Sequence, residues 1–522
     1  MSAPLADRYD CIIIGAGHNA LVAAAYLARD GRSTLVLESA GHVGGAAVSA
    51  EVFQGVGARL SKYSYLVSLL PHSIRDDLNI DLTTIRRSVA SYTPDPQDPT
   101  RGLAIPVANE AALREQFRAA TGSEEDADAW INFYSRTQRV AAVVFPTLTS
   151  PLPSREAIRA QLDPQDWLDF FERPLGEVLE RTFKNDVVRG VILTDALIGT
   201  FADAHDPHLG QNICFLYHVI GNGTGDWDVP QGGMGRVTDQ IAKRAEEAGA
   251  TIIVSAPVTE VESDGNQARV TAMIDGAQRT FTCDYVLAGC APAVLDQLMN
   301  RPVAPINQLD AGAQIKVNML LSRLPKLKDT TIDPWDAFNG TFHINEAYSQ
   351  LQRAAAQARK GVLPDPIPSE IYCHSLSDPS ILSADLQAQG VQTLTLFALQ
   401  IPHDLFIGPN PVSHESAQAA VLASLNSVLA EPIEDCLFVG PDGRPCIEVN
   451  TTVDLEKSLN IPTGNIFHTP LEWPFAETDE EIGTWGVETD LANVVICGAG
   501  AKRGGGVSGI PGHNAAQYVL GR

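Results

Sequence analysis

The sequence predicts an α/β protein: a Rossmann-like parallel sheet built from βαβ units, with a discontinuous mixed α+β domain set beside it. Three observations predict this. Residues 9–45 read as strand, glycine loop, alanine-rich helix, second strand, acid and a Gly-Gly pair. Strand-and-helix patterning of the same character returns between Asp228 and Gly289. A buried strand near the C-terminus, Asn493 to Cys497, runs into a glycine-rich block, Gly498 to Ala516.

The first unit justifies itself residue by residue. Cys11 to Ile14 is a short apolar, β-branched run, the signature of a strand buried on both faces. Gly15 turns the chain, Gly17 lets backbone approach a pyrophosphate, and Ala20 is the third small residue that lets a helix sit close to the strand. The helix spans His18 to Arg29, with Ala20, Ala23, Ala24 and Ala28 on its packing side, and Gly31 fits its C-terminal cap. Its first turn offers unpaired N–H groups and a positive dipole end to phosphate oxygens. The second strand, Thr34 to Leu37, ends at Glu38, 21 residues beyond Gly17 (38 − 17). That is the usual spacing, about 20 residues, for a carboxylate that binds an adenosine ribose. The same charge repels a 2′-phosphate, so NADP is disfavoured. A lone glycine motif would be weak; the full set, in order, is specific.

Bulk properties exclude several functions. With 522 residues the chain has room for about two to four domains. Hydrophobic residues at 44% and charged residues at 19% are the balance of a globular protein with a large core. A net charge of −26 argues against nucleic acid as a partner and against a polybasic membrane surface, although local peripheral membrane contact stays open. No stretch of 18 apolar residues spans a bilayer, and Met1 to Arg8 shows no apolar leader. Eight cysteines occur with no C-x-x-C, which supports neither zinc nor a disulfide framework and fits a reducing compartment, the cytoplasm.

Further along, Phe53 to Leu70 reads as a short strand followed by a helix. Residues 81–105, with Pro94, Asp95, Pro96, Asp98 and Pro99, read as loop-rich. From about 107 to 224 the pattern is helical: Ala111 to Ala120, Glu124 to Val144, Arg155 to Gln161 and Leu175 to Phe183, broken at Pro151 and Asp163-Pro164. Val187 to Phe201 is apolar and suits core or a cavity wall. Asp203, His205, Asp206 and His208 match no metal spacing; helix capping is the plainer expectation, and no metal is expected. Asp228 to Gly235 opens a helix, Arg236 to Ala248, followed by strands at Thr251 to Val254 and from Val258, hairpin turns at Asp264-Gly265 and Asp275-Gly276, and a buried strand at Tyr285 to Gly289. Beyond residue 300, strands are expected at Gln314 to Leu321 and Gln392 to Ala398 and a helix at Ser413 to Leu429, with loops at Pro325 to Asn339 and Pro364 to Pro368. The resulting domains are 1–80, 225–299 and 465–522 for the nucleotide, and 81–224 and 300–464 for the substrate.

Together these blocks resemble the phytoene desaturase (phytoene dehydrogenase-related) family of FAD-dependent oxidoreductases, in the wider amine-oxidase-like flavoprotein group, nearest its non-carotenoid members. The resemblance is carried by Gly15 to Leu21 with Glu38 and Gly44-Gly45, by Ser61 to Leu70, by Pro230 to Gly235 with Val258, and by Gly498 to Ala516. It implies that FAD lies extended. Gly15, Gly17, His18 and Asn19 would hold its pyrophosphate, Glu38 its adenosine ribose and the Val258 backbone its adenine, with Ala20 and Ser39 also at the cofactor. Gly44 and Gly45 would sit by the phosphates or ribityl chain, with Ser61 and Ser64 on a helix beside the flavin. Gly500, Gly505, Gly506, Val507, Ser508, Gly509 and His513 would surround the isoalloxazine and its ribityl arm. Departures from the family pattern fall on Ala20, on His42 in place of a basic residue before the Gly-Gly pair, on Val229, and on Lys502-Arg503, where relatives carry His-Pro. A cationic pair there either faces the flavin or points away.

The implied reaction is hydride transfer from a C–H of an apolar small molecule to flavin N5, by a dehydrogenase or desaturase. Asp228 and His218 are the candidate proton acceptors, and oxygen, a quinone or another carrier would take the electrons. Absence of a second glycine-rich nucleotide unit and of a redox C-x-x-C argues against a disulfide-reductase architecture. Three alternatives stay open: a flavin-dependent isomerase or saturase, an amine oxidase, and an FAD-bearing interaction protein without turnover.

Overall fold

The computed structural model describes residues 5–225 and 227–521; Met1 to Pro4, part of the stretch read as lacking a leader, lie outside it. Its first element is β1 (Arg8–Ile14), followed by α1 (His18–Arg29) and β2 (Thr34–Leu37). All four β2 residues are buried, as a strand covered on both faces requires. β1 lies between β2 and the strand Ala277–Ala288, parallel to both, with Ile12 opposite Leu35 on one side and Val286 on the other. Thr251–Ile253 extends the parallel set beyond β2, and Val494–Ile496 joins it beside Ala277–Ala288. The hairpins through Val258–Ser263 and Ala268–Ile274 complete seven strands on the other edge. The α/β expectation therefore holds, with strands drawn from three distant stretches of chain.

A second seven-stranded sheet has the order Ile447–Asn450, Ile315–Leu321, Gln392–Ala398, Ser369–Tyr372, Thr341–Ile344, Val89–Asp95, Asp98–Pro106. It packs around its own buried cluster, which includes Val317, Phe342 and Leu396. Helices Glu110–Thr121, Glu125–Val144, Leu175–Thr182, Asp186–Thr194 and Gly210–Val219 fill the stretch between the sheets in sequence. Phe117, Phe133 and Phe215 from these helices share one buried cluster with β1 and β2. Among the described residues no helix is long and apolar enough to cross a membrane.

Three readings of the sequence need correction. Residues 89–106 are a hairpin rather than loop, with Pro99 on the edge strand and a register shift at Pro94/Asp95. Proline and aspartate are tolerated because an edge and an irregular register need fewer ladder donors. The helix expected up to Leu70 does not form: after the short strand Leu60–Ser61 the next helix is His72–Asp77. Its backbone groups are claimed from outside. Ser64 N donates to Ala46 O and Val67 N to Asp228 O, while Lys316 Nζ takes the carbonyls of Ser61 and Tyr63 and Asn318 Nδ2 that of Lys62. Finally, the loop at 325–339 ends in a short helix, Pro334–Asn339, capped by the Asp333 side chain.

Candidate active site

The β1–α1 turn opens onto a cavity of about 850 Å³. That is at the upper end of the range of about 300–1,000 Å³ for small-molecule sites. α1 begins at Gly17 with no side-chain cap and no acidic residue in its first turn, so its N–H groups are left for a ligand. Gly44 and Gly45 pass directly over this turn. Gly44 N donates to Ala16 O at 2.8 Å, and a Cβ on Gly45 would stand 3.1 Å from the Gly17 Cα, at a left-handed φ of +57°. Only glycine lets two backbones meet so closely beside a ligand.

Glu38 is held ready. Its Oε2 accepts Ala16 N at 2.6 Å, and its Oε1 accepts Ala40 N at 2.7 Å and Ser39 Oγ at 3.2 Å. Two backbone donors fix the carboxylate at the wall, where its remaining lone pairs suit ribose hydroxyls. Val258 and Pro257 line the cavity at the start of the neighbouring strand. This arrangement of glycine cradle, bare helix start and pinned acid fits the dinucleotide expected from the sequence.

Of the residues singled out, Gly15, Gly17, His18, Asn19, Ala20, Glu38 and Ser39 reach the wall, as do Gly45, Ser64, Val258, Gly506 and Val507. The two chain ends meet there: His18 Nε2 lies 3.0 Å from Gly506 O, and Asn19 Oδ1 accepts Gly509 N at 2.9 Å. The others stand behind the wall. Gly44 supports Gly45, and Ser61 Oγ accepts Met234 N at 3.1 Å. Gly505 O accepts the Tyr217 hydroxyl at 2.7 Å, and Gly500 packs on Pro292 and His468. Ser508 is fully buried, and Gly509 caps the last helix, Ile510–Leu520. His513 does not line the cavity: its ring is edge-on to Tyr26 of α1 at 5.2 Å, with Nδ1 2.9 Å from Asn514 Oδ1. Lys502 and Arg503 also turn away from the cavity. Lys502 Nζ meets Glu472, Glu477 and Glu481, and Arg503 donates to the carbonyls of Thr147, Ser150 and Trp485.

A second cavity of about 310 Å³ adjoins the first. Tyr65, Leu66, Ile198, His218 and Trp227 belong to both walls. His218 Nδ1 lies 2.7 Å from Cys214 O and so carries the proton, and its ring stacks on Trp227 at 5.6 Å. Burial holds its pKa down at about 4, which keeps it neutral. Asp228 lines the second cavity, 3.7 Å from Arg86 Nε. Both proposed acceptors thus face the smaller chamber. Asp195 from the apolar stretch 187–201 is there too, its carboxyl pushed up to about 7 by burial.

Sequence reasoning missed Lys316, Glu370 and His468. Lys316 lines the larger cavity, 2% exposed, with its pKa lowered to about 7 by burial. In the sequence it alternates with apolar residues, as Gln314 and Asn318 do, which reads as the polar side of a strand. Glu370 lines the smaller cavity, 1% exposed, in a stretch of mixed polarity, Ser369-Glu370-Ile371-Tyr372, that carries no such signal. His468 lines the larger cavity in a left-handed conformation (φ +68°), with no hydrogen-bond partner at its buried Nδ1. The 203–208 cluster acts in turns and ion pairs: Asp203 and Asp206 accept the N–H of His205 and His208 and pair with Arg359. Among the described residues no group of three His, Cys, Asp or Glu is placed to hold a metal ion.

Comparison with known proteins agrees with this geometry. The family model described as flavin containing amine oxidoreductase matches residues 21–344. An uncharacterized protein of Mycobacterium tuberculosis (strain ATCC 25618 / H37Rv) is 49% identical, covering 98% of this chain and 97% of its own. The pyridine nucleotide-disulfide oxidoreductase domain-containing protein 2 of Mus musculus is 30% identical over 99% of this chain and 94% of its own. A solved structure of a redesigned putrescine oxidase has the same fold, with a TM-score of 0.61 at 17% identity over 99% of each chain.

Proposed function

The chain belongs to the flavin containing amine oxidoreductases, and from that premise we propose that it is an FAD-dependent dehydrogenase of a small molecule with a largely apolar body. Its cofactor is FAD. The observation that carries the reading is the junction of a large cradle with a smaller chamber across one shared wall of Tyr65, Leu66, Ile198, His218 and Trp227. When bound, FAD supplies a two-electron acceptor for hydride at its isoalloxazine N5.

The chain supplies position and electrostatics. In this reading the α1 start and Gly45 hold the pyrophosphate, Glu38 the ribose and Val258 the adenine. Gly506, Val507, Tyr65, Phe397 and Lys316, which line the same cavity, would face the isoalloxazine. Substrate occupies the smaller chamber, where Trp130, Tyr134 and Val191 exclude water from its apolar body. The desaturase form of the reaction, as in phytoene dehydrogenase-related proteins, rests on the block from Gly498 to Ala516. A second reading, amine oxidation, is favoured by the aromatic faces of Tyr65, Tyr372 and Trp227 set beside the acids Asp195, Asp228 and Glu370. Aromatic rings with nearby carboxylates attract cations.

One experiment tests both. The FAD-loaded protein is mixed anaerobically with a panel of apolar alcohols, alkenes, ketones and amines while flavin absorbance is followed. Bleaching by an apolar non-amine supports the first reading, and bleaching by amines alone supports the second. Protein that holds FAD but is bleached by none rejects the dehydrogenase.

A further inference from the structure

We propose that Glu370 is the proton sink of the smaller chamber, reached through the hydroxyl of Tyr65. The inference rests on the dehydrogenase reading above and adds the residue pair that takes the substrate's proton.

Glu370 sits in the strand Ser369–Tyr372, inside the second sheet and almost fully buried. Both of its oxygens are engaged by phenols: Tyr65 Oη donates to Oε1 in a short hydrogen bond, and Tyr372 Oη donates to Oε2 at 2.9 Å. Tyr65 lines both cavities, whereas Glu370 and Tyr372 line only the smaller one. Of these three hydrogen-bonded residues, Tyr65 is the one that also reaches the larger cavity. Tyr65 is fixed there by its ring neighbours, Tyr372 at 4.5 Å and Phe397 at 6.0 Å.

The surroundings set the carboxyl's affinity for a proton. His343 is the residue directly opposite Glu370 on the neighbouring strand, and it is paired with Glu346 at 2.6 Å. From other elements, Asp195, Asp228, His218 and Arg87 face the chamber, Lys316 Nζ lies 5.0 Å from the Tyr65 ring, and His374 stacks on Tyr372. Burial first, and then the Glu346 charge, push Glu370 up to about 7, against the two phenol hydrogen bonds that pull it down. A carboxyl poised there is ionised enough to accept a proton and weak enough as an acid to hold it at neutral pH.

The step balances. With bound FAD as the two-electron acceptor, one substrate hydrogen would leave as hydride and a second would leave as a proton to Tyr65 Oη. The hydroxyl's own proton passes to Glu370 Oε1. One O–H bond forms and one breaks at Tyr65, which ends neutral, and Glu370 ends as the carboxylic acid. Two electrons and two hydrogens have left the substrate.

Difference infrared spectroscopy of the FAD-loaded protein tests this without a substrate. Wild type should show a buried carboxylic C=O band that titrates near 7; Glu370→Gln should lose it while the Asp195 band remains, and Tyr65→Phe should shift it. A wild type with no such band, or a band unchanged in Glu370→Gln, overturns the assignment; the wild-type titration and Tyr65→Phe keep the test decisive if Glu370→Gln does not fold. With a bleaching substrate in hand, the wild-type rate should rise with pH through about 7. Glu370→Gln should be slower by about 100-fold or more with that limb gone. An unchanged limb overturns the proton role. Failure of every substrate would reject the dehydrogenase reading while leaving the infrared result standing.

Discussion

Asn19, in the first turn of α1, and Gly509, at the cap of the last helix, are 490 residues apart in sequence and are joined by a 2.9 Å hydrogen bond. Asn19 is 3% exposed and lines the larger cavity. One buried amide thus fastens the two glycine-rich blocks to each other at the site.

Asn19→Ala leaves the Gly509 N–H without its partner. The expected cost is about 1–3 kcal/mol of stability, with weaker FAD binding in the same variant. Thermal melting with and without added FAD, together with a flavin titration, checks it. Wild-type affinity in the variant would remove Asn19 from the site.

Glu38→Ala should weaken FAD retention by about tenfold or more, the scale of one lost hydrogen bond to a charged group. Because Ala16 N and Ala40 N also lose their acceptor, the free protein should melt at a lower temperature too. Glu38→Gln keeps one carbonyl oxygen and should lie between. Equilibrium dialysis of FAD separates the three, and equal affinities would show that Glu38 does not meet the ribose.

Gly512→Ala tests how closely the last helix approaches α1. A Cβ there would come 1.8 Å from Asn19 O. The helices must part, at a cost of about 3 kcal/mol or more. Expected outcomes are low soluble yield or a clear drop in melting temperature; a variant as stable as wild type would show that the approach is looser than described.

Acid should destabilise the protein. Burial holds His18, His218 and His468 down at about 4 and His374 at about 3, from 6.5. Between those values and 6.5 the unfolded chain binds more protons than the native one, so stability rises with pH and is lost on acidification. Glu370 and Asp195, raised to about 7, act in the opposite sense over much of the same window. Four histidines against two carboxyls leave a net loss as pH falls from 6.5 toward 4, of roughly 1–3 kcal/mol per pH unit. Denaturant melts across that range check the sign; stability that is flat or increasing on acidification would contradict it.

The cradle was legible because its chemistry is local. Gly15 to Glu38 carries its spacing in one unbroken stretch, and α1 and β2 begin and end where the residues said they would. Val258 and Gly506, expected at the cofactor from the family resemblance, line the same cavity. The smaller chamber was legible only at Asp228, His218 and the stretch 187–201, because it is assembled from single residues on many elements: Tyr65, Asp195, Asp228, His343 and Glu370 share no spacing. Residues 62–70 misled for a related reason. Their apolar pattern suits a helix, but Lys316 and Asn318, some 250 residues away, take the carbonyls a helix would need. Lys316 and Glu370 each sit in a strand of mixed polarity, where a charge reads as a solvent-facing position.

The long-range fastening of α1 has a consequence for synthesis. While a ribosome is still making the middle of the chain, α1 has neither the strand Ala277–Ala288 beside β1 nor the final helix against its flank, and a surface rich in alanine and leucine is bare. N-terminal segments emerge first and wait for their partners. The packing around α1 is therefore completed only when the last residues of the chain have been made.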